Sequence, residues 1–301
     1  MRRFVLLWLA VNIGRWLPAR VTYAAGAAVG AVAWRVSRRI RATTRDHARH
    51  VLGPAAPQRT VDAVARACVR SNLYYYADFA RFGTTEPEQV FDEFDSMIGI
   101  EHLFDAIDGE RGVILVSAHL GGAEMLAQAA APFGICLGIV TEPLSPPRLQ
   151  AYVQQNRSAR GVRFFPADRS GLRMSIGHLR AGGTLGLLVD RDVLGTAEPF
   201  PFFGERTRLP SGAVELARRT GAPMVAAWVP RTGPARYALH IEPVAMPPAT
   251  GDRDADLESG MRAMVATLES GIRRWPGQWF PLAPVWGEDA TPASSAAERP
   301  R

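Results

Sequence analysis

Apolar and polar positions follow two different periods along most of the chain. Continuous short apolar runs, which are typical of strands buried on both faces, stand at residues 113–118, 137–140, 162–165, 185–189 and 224–229, and an alternating run stands at 237–242. Stretches with helical spacing of apolar residues cover residues 55–83, 146–158, 170–181, 211–220 and 254–274. This alternation of strands and helices predicts an α/β fold, a single-domain sandwich with a largely parallel central sheet and flanking helices.

The N-terminal region contains two apolar stretches, residues 4–13 and 21–34, which are separated by Arg15 and Trp16. Each is shorter than the ~20 apolar residues that a membrane-spanning helix needs. A cleaved signal peptide fits less well, because the first stretch leads directly into the second and then into an arginine-rich segment. The pattern predicts helices that lie on a membrane or insert partly into it, with two ordinary buried helices as the alternative.

Arginine supplies all 35 basic residues of the 301-residue chain, whose net charge is +6. The positive charge is concentrated near the N-terminus, where Asp46 is the one acidic residue among the first 49. Together with Trp8, Trp16 and Trp34, this charge favours an anionic membrane surface as a partner. No nucleic-acid-binding motif accompanies the arginines, so no nucleic-acid partner is expected.

The two cysteines, Cys68 and Cys136, are too few for a disulfide scaffold, and neither stands in a motif that indicates a nucleophile. No Cys/His cluster has the spacing of a zinc site, so no metal is expected. After Trp286 the residues are small, polar and proline-containing, which predicts a disordered tail over 287–301. We therefore expect a membrane-associating helical segment over 1–45, a folded domain over 46–286 and the tail.

The strongest chemical motif is residues 117–124 (SAHLGGAE), in which a buried strand ends at His119 and Glu124 follows two glycines. Active sites of open α/β sheets lie at the carboxyl ends of strands. A tight turn through the glycines brings Glu124 back to one imidazole nitrogen, and the other nitrogen is then free to take a proton from a hydroxyl. The pair predicts a general base that acts on a substrate hydroxyl. On spacing alone, a capping histidine followed by an exposed helical glutamate is the alternative.

The H-x4-E spacing after an apolar strand resembles the H-x4-D/E motif of the lysophospholipid acyltransferase superfamily, in its bacterial lipid A late acyltransferase and phosphatidylinositol mannoside acyltransferase branch. Four further segments resemble that family in order and spacing: residues 156–161 (NRSARG), 187–192 (LLVDRD), 202–212 (FFGERTRLPSG) and 275–280 (WPGQWF). The resemblance covers residues 5–286, and five motifs in register make it specific.

The resemblance implies an O-acyltransferase with its catalytic domain over 46–286. Such an enzyme moves a fatty acyl chain from acyl-coenzyme A or acyl carrier protein to a hydroxyl of a glycolipid or phospholipid, here a phosphatidylinositol mannoside-like or lipid A-like acceptor. The resemblance also implies that the protein is located at the cytoplasmic face of the inner membrane, either bound peripherally or partly inserted. It implies no cofactor besides the donor substrate. His119 is then expected to be the general base, and Glu124 is expected to orient its ring.

The resemblance also points to residues that bind substrate. Arg157, Arg206 and Arg208 stand where the family has anion-binding or site-shaping groups, and guanidinium groups suit the phosphates of a donor or an acceptor. Solvated surface arginines are the alternative. Asp190, at the end of a predicted strand, is expected in the site, where it either bonds acceptor hydroxyls or holds Arg191.

Two other functions compete with acyl transfer. A catalytically silent lipid-binding paralogue would keep the fold, but the intact His119–Glu124 pair argues against it. A lipid hydrolase would use the same pair to activate water, but the chain lacks a G-x-S-x-G motif. One departure from the family pattern stands at residues 121–123, which are small where the family has a bulky or aromatic residue before the glutamate. These small residues predict extra room near His119.

Overall fold

The structure is a computed structural model that describes residues 12–14, 16–81, 87–141, 147–158, 161–192 and 197–287, without the side chains of 87, 88, 149 and 155–158. The predicted tail beyond Gly287 and most of the apolar stretch at 4–13 lie outside these residues. The described α-helices are α1 (Ala19–Val36), α2 (Arg38–Leu52), α3 (Gln58–Arg81), α4 (Ile100–Asp108), α5 (Glu124–Ala130), α6 (Pro147–Ser158), α7 (Arg169–Arg180), α8 (Gly212–Thr220) and α9 (Arg253–Arg274). Short 3-10 helices cover Pro87–Glu93 and Pro276–Gln278.

The described strands form one large sheet and one separate hairpin. The strands are β1 (Phe94–Ile98), β2 (Val113–Ser117), β3 (Leu137–Thr141), β4 (Arg163–Pro166), β5 (Thr184–Leu188), β6 (Pro199–Phe202), β7 (Glu205–Arg208), β8 (Met224–Trp228), β9 (Arg231–Gly233) and β10 (Arg236–Pro243). The sheet order is β1-β10-β8-β2-β5-β3-β4, with β9 paired to β10, while β6 and β7 form the hairpin. The neighbours from β8 to β4 run parallel, and β10 runs antiparallel to β8. The predicted α/β class with a largely parallel sheet is therefore confirmed.

Each face of the sheet packs against its own set of helices. Val113 and Leu115 of β2 belong to one core with residues of α4 and α5, and we call this side the front face. Ile114 and Val116 point the other way, into a core with residues of α8 and α9, which we call the back face. Because β2 is buried on both faces, its sequence is a continuous apolar run rather than an alternating one.

Two elements at the outer side of the sheet were not predicted from the sequence, the strand β1 and the helix α4. The strand Phe94–Ile98 buries one residue out of five and reads as a mixed polar segment, so no apolar run marks it. The helix α2 was predicted only as far as residue 45, since its buried positions hold threonine, histidine and alanine as well as Val51. Residue 45, the expected end of the N-terminal segment, lies inside this helix.

The helix α1 lies with one face against α3. Gly26 and Gly30 of α1 approach Leu73 and Arg70 of α3, and Tyr23 is buried beside them. The opposite face of α1 is exposed to solvent. In the described part of the chain, no helix has both the length and the apolar character that crossing a bilayer requires.

A buried polar network joins α1, α3 and the sheet. The Arg231 guanidinium forms an ion pair with Asp78, with its Nε donating to Oδ2 at 2.9 Å. The hydroxyls of Tyr23 and Tyr237 both donate to Oδ1 of the same carboxylate, the latter at 2.6 Å. Burial, followed by the charge of Asp78, raises the pKa of both tyrosines, so their hydroxyls remain protonated donors. The carboxylate thereby holds α1 against the sheet.

We predict that Arg231→Met lowers the free energy of unfolding by ~3–5 kcal/mol, because the substitution leaves the buried Asp78 carboxylate without its counter-ion. Urea denaturation followed by circular dichroism measures this change. Arg262→Met is the matched control, since the ion pair of Arg262 with Glu258 lies on the surface of α9 and contributes little. Equal losses of stability in the two variants would contradict the assigned role of the network.

Candidate active site

Two neighbouring parallel strands deliver the site residues to one edge of the sheet. The strand β2 ends at Ser117, two residues before His119, and β5 ends at Leu188, two residues before Asp190. Ser117 and Leu188 are partners in the parallel ladder. Because both chains leave the sheet at the same level, His119 and Asp190 meet at its carboxyl edge, where sites of open α/β sheets form.

His119 and Asp190 form a hydrogen-bonded pair. The imidazole Nδ1 lies 2.8 Å from Oδ1 of Asp190, and the backbone N–H of His119 donates to Oδ2 at 3.0 Å. The Asp190 side chain is fully buried, whereas a quarter of the His119 side chain is exposed. With the carboxylate accepting from Nδ1–H, the assigned tautomer leaves the lone pair on Nε2. The ring can therefore accept a proton at Nε2.

The residues after the 3-10 helix Pro276–Gln278 pack against His119 and Asp190. The indole Nε1–H of Trp279 donates to Oδ2 of Asp190 at 2.8 Å. The next residue, Phe280, donates its backbone N–H to the His119 carbonyl at 2.9 Å, and Leu120 forms a β-bridge with Trp279. The motif at residues 275–280 thus holds both members of the pair, a role that its sequence did not reveal.

The hydrogen bonds around Asp190 fix its charge. Burial alone would raise the pKa of Asp190, but the charge of His119 and hydrogen bonds from His119 and Trp279 outweigh it and lower the pKa to about 2. Behind Trp279 lies His47, with ring centroids 5.2 Å apart. Burial lowers the pKa of His47 to about 3, so this second imidazole is neutral at physiological pH.

Glu124 occupies a different place from the one expected. It is buried as the first residue of α5, and its Oε2 accepts a hydrogen bond from the Tyr75 hydroxyl of α3 at 3.2 Å. Within the described part of the chain, the carboxylate that holds the imidazole is that of Asp190. The described bond of Glu124 thus leads to α3, and its expected role in orienting the ring stays a prediction. Both oxygens of Asp190 accept hydrogen bonds from His119 or Trp279, and its expected role in binding substrate stays a prediction.

The two glycines after His119 are required by packing, whereas Ala123 lines the same cavity as His119. Gly121 has a φ of +57°, and a Cβ there would lie 2.1 Å from the Val229 carbonyl oxygen. A Cβ at Gly122 would lie 2.4 Å from the ring of Tyr237. The space expected near His119 on the glycine side is therefore filled by the sheet itself, and these glycines do not enlarge the substrate site.

A cavity of about 1140 Å³ opens beside His119 and is lined mostly by apolar side chains. Asn72, Tyr75 and Tyr76 of α3 border it on one side, and Phe280 borders it near the imidazole. Glu124 also lines this cavity. The general base and a large apolar space thus share one site, which suits a substrate with a long hydrocarbon chain.

The arginines expected to bind substrate are not all at this cavity. Arg206 and Arg208, on β7, donate to the carbonyls of Pro199 and Ala197 and do not line it. The side chain of Arg157 lies outside the described residues, so its role stays a prediction, as do those of Arg206 and Arg208. Among the side chains that the structure describes, the arginines that line the cavity are Arg169 and Arg191. Within the described chain, no group of three His, Cys, Asp or Glu side chains is placed to hold a metal ion.

Comparison with known proteins gives this geometry its context. A family model described as bacterial lipid A biosynthesis acyltransferase matches residues 2–287. The phosphatidylinositol mannoside acyltransferase of Mycolicibacterium smegmatis is 28% identical over 242 residues, which cover 77% of this chain and 75% of the relative. The phosphatidylinositol mannoside acyltransferase of Mycobacterium tuberculosis (strain H37Rv) is 26% identical over 263 residues, covering 85% of this chain and 80% of the relative. The chain belongs to the bacterial lipid A biosynthesis acyltransferase family and is an acyltransferase.

Proposed function

We propose that this protein transfers a fatty acyl chain from a thioester donor to a hydroxyl of a phosphatidylinositol mannoside-like glycolipid. The observation that carries the proposal is the His119–Asp190 pair at the border of a large apolar cavity. Both relatives described above carry the name phosphatidylinositol mannoside acyltransferase, which favours this acceptor over lipid A. The donor is acyl-coenzyme A or acyl carrier protein.

The reaction needs one general base and no enzyme-bound intermediate. Nε2 of His119 takes the proton of the acceptor hydroxyl while its oxygen attacks the thioester carbonyl carbon. The tetrahedral intermediate collapses with cleavage of the carbon–sulfur bond, and the imidazolium returns its proton to the departing thiolate. Asp190 keeps Nδ1–H in place and stabilises the imidazolium, as the aspartate does in a Ser-His-Asp triad.

We further propose that the exposed face of α1 rests on an anionic membrane surface. Val21, Val29, Val32 and Val36 are 47–73% exposed and recur along one face of the helix. Basic residues stand at both ends of this stripe, Arg20 before it and Arg35, Arg38 and Arg39 at its end. Apolar insertion with arginines near phosphates is the pattern of an interfacial helix.

The position of α1 supports a link between the membrane and the site. The hydroxyl of Tyr23 of α1 lies 3.1 Å from the hydroxyl of Tyr237. Tyr237 stands near the start of β10, which runs antiparallel to β8, so it lies at the edge where β2 and β5 end. An acceptor held in the membrane under α1 would thus be close to His119.

The proposed activity is tested by incubating the purified protein with palmitoyl-coenzyme A and phosphatidylinositol mannoside, and separately with palmitoyl-acyl carrier protein. Mass spectrometry should show one added acyl chain on the glycolipid with at least one donor. Release of free fatty acid without acylated glycolipid would indicate a hydrolase instead. An absence of both products with both donors would favour the silent lipid-binding protein.

We predict that His119→Ala lowers the rate of transfer by roughly 10²–10⁴-fold, because the general base is lost. The variant should still fold but unfold at a lower temperature, because the buried Asp190 carboxylate loses the bond from Nδ1 and keeps those from the His119 backbone and Trp279. Initial rates and thermal unfolding are measured on the same samples. His102→Ala on α4 is the matched control and should keep the parent rate. Near-normal transfer by His119→Ala would contradict its role as base.

We predict that Asp190→Asn reduces kcat more than Glu124→Gln does. The imidazole Nδ1 and the Trp279 indole bond different oxygens of the carboxylate, and the introduced amide has one acceptor oxygen and no charge. It therefore cannot accept from both, and the ring loses its orientation and its charge partner. Glu124→Gln keeps an acceptor for Tyr75 and should lose less activity. Steady-state kinetics with both substrates varied provide the comparison. A larger loss of kcat in Glu124→Gln than in Asp190→Asn would indicate that Glu124, and not Asp190, supports the base.

We predict that the double substitution Val29→Glu and Val32→Glu weakens binding to vesicles containing anionic lipid, because it places charge in the apolar stripe. Co-sedimentation with the vesicles is measured at low and at high salt. Binding that persists at high salt reports the apolar contribution, and binding that is lost reports the electrostatic contribution. Ile98→Glu is the control, since Ile98 is similarly exposed but is the last residue of β1 and not part of the α1 stripe. Equal binding by both variants and the parent would show that α1 does not contact the membrane.

A further inference from the structure

The cavity beside His119 extends along both faces of the sheet. Gly186 and Leu187 are consecutive residues of β5, so they face opposite sides, yet both line the cavity. In the ladder Gly186 pairs with Leu115 of the front face, and Leu187 pairs with Val116 of the back face. The cavity therefore continues past the sheet edge as two arms, a front arm toward α5 and a back arm toward α7 and α8.

The two arms differ in the chemistry of their walls. The front arm is lined mostly by apolar side chains of the sheet, facing alanines of α5: Leu115, Leu137, Ile139, Leu239 and Ile241. Ser117 and Thr184 also stand in this wall, where the Ser117 hydroxyl is bonded to the Ala227 carbonyl. The back arm includes the polar residues Asp168, Arg169, Ser175 and Glu215. The hydroxyl of Ser175 is completely buried and has no hydrogen-bond partner among the described residues. A hydrocarbon chain therefore fits the front arm better than the back arm.

Gly186 is a glycine that the fold does not require. The φ angle of Gly186 is not in the left-handed region, so the backbone does not need a glycine there. A glycine inside a strand also makes the strand less stable than a residue with a side chain would. A Cβ built there meets only ordinary contacts, 3.5 Å from a methyl of Leu137 and 3.7 Å from Ile139. By contrast, a Cβ at Gly138 would lie 2.5 Å from the ring of Phe165, so that glycine is required by packing. Gly186 instead leaves open space in the wall of the front arm.

We propose that Gly186 determines which acyl chains this enzyme accepts, by opening the front arm to the distal part of a long chain. The inference rests on the proposed function. Leu115, the ladder partner of Gly186, precedes His119 by four residues, and a rise of about 3.3 Å per residue places it roughly 13 Å below the imidazole. An extended octanoyl chain is shorter than this distance, whereas a palmitoyl chain is longer. Gly186 therefore contacts long chains and not short ones.

The test compares kcat/KM for palmitoyl-coenzyme A and octanoyl-coenzyme A in the Gly186→Leu variant and in the parent. We expect the palmitoyl-to-octanoyl ratio to fall by roughly 10–200-fold, the range that an apolar pocket discriminates for small changes in volume. Gly186→Ala, whose Cβ is accommodated without displacement, should give a smaller fall in the same direction. Gly177→Leu is the matched control, because Gly177 is exposed on α7 with open space around it, and the ratio should not change.

Binding without turnover separates this inference from the proposed function. Palmitate and octanoate are titrated into the parent and the two Gly186 variants, and their affinities are measured by calorimetry. A selective loss of palmitate affinity supports the role of Gly186 even if no transfer to the glycolipid is detected. An unchanged preference in folded Gly186→Leu and Gly186→Ala would overturn the inference while leaving the acyltransferase activity intact.

Discussion

A single buried carboxylate, that of Asp190, organises the edge of the sheet where the candidate site lies. A fully buried charge is stable only when it is paired and hydrogen-bonded, and three donors from two distant parts of the chain meet this requirement. His119 contributes its backbone and its ring, and Trp279 contributes its indole. The low pKa of Asp190 means that its contribution to stability is present above its ordinary pKa and is lost only as pH falls through about 2.

The same arrangement connects stability with chemistry. The donor that stabilises the buried charge is Nδ1–H of His119, and this bond leaves Nε2 as the proton acceptor at the border of the cavity. The glycines at 121 and 122 allow the turn after His119 to pack directly on Val229 and Tyr237. Tyr237 in turn shares the Asp78 carboxylate with Arg231 and with Tyr23 of α1. A continuous set of polar contacts and close packing thus joins the base to the N-terminal helix.

Much of the architecture was predictable because each local pattern agrees with the tertiary fold. Strands buried on both faces, such as β2, have continuous apolar sequences that need no partner to be identified. The strand β1 lies at the outer side of the sheet and shows no such run, so its identity as a strand depends on pairing with β10. The candidate base, His119, was also predicted, because it follows a buried strand at the edge where sites of open α/β sheets form.

The sequence by itself determined the α/β class, the sheet edge that carries the site, the candidate base and the family. Only the tertiary structure decided which carboxylate holds the imidazole. Glu124 is five residues from His119 along the chain but is directed toward Tyr75, whereas Asp190 is 71 residues away and becomes a neighbour because β2 and β5 pair in parallel. Trp279 and Asp190 are 89 residues apart in sequence, and their contact likewise depends on the tertiary fold. Spacing in sequence predicts contacts within a turn or a helix, but contacts between strand ends depend on sheet order, which no local pattern encodes.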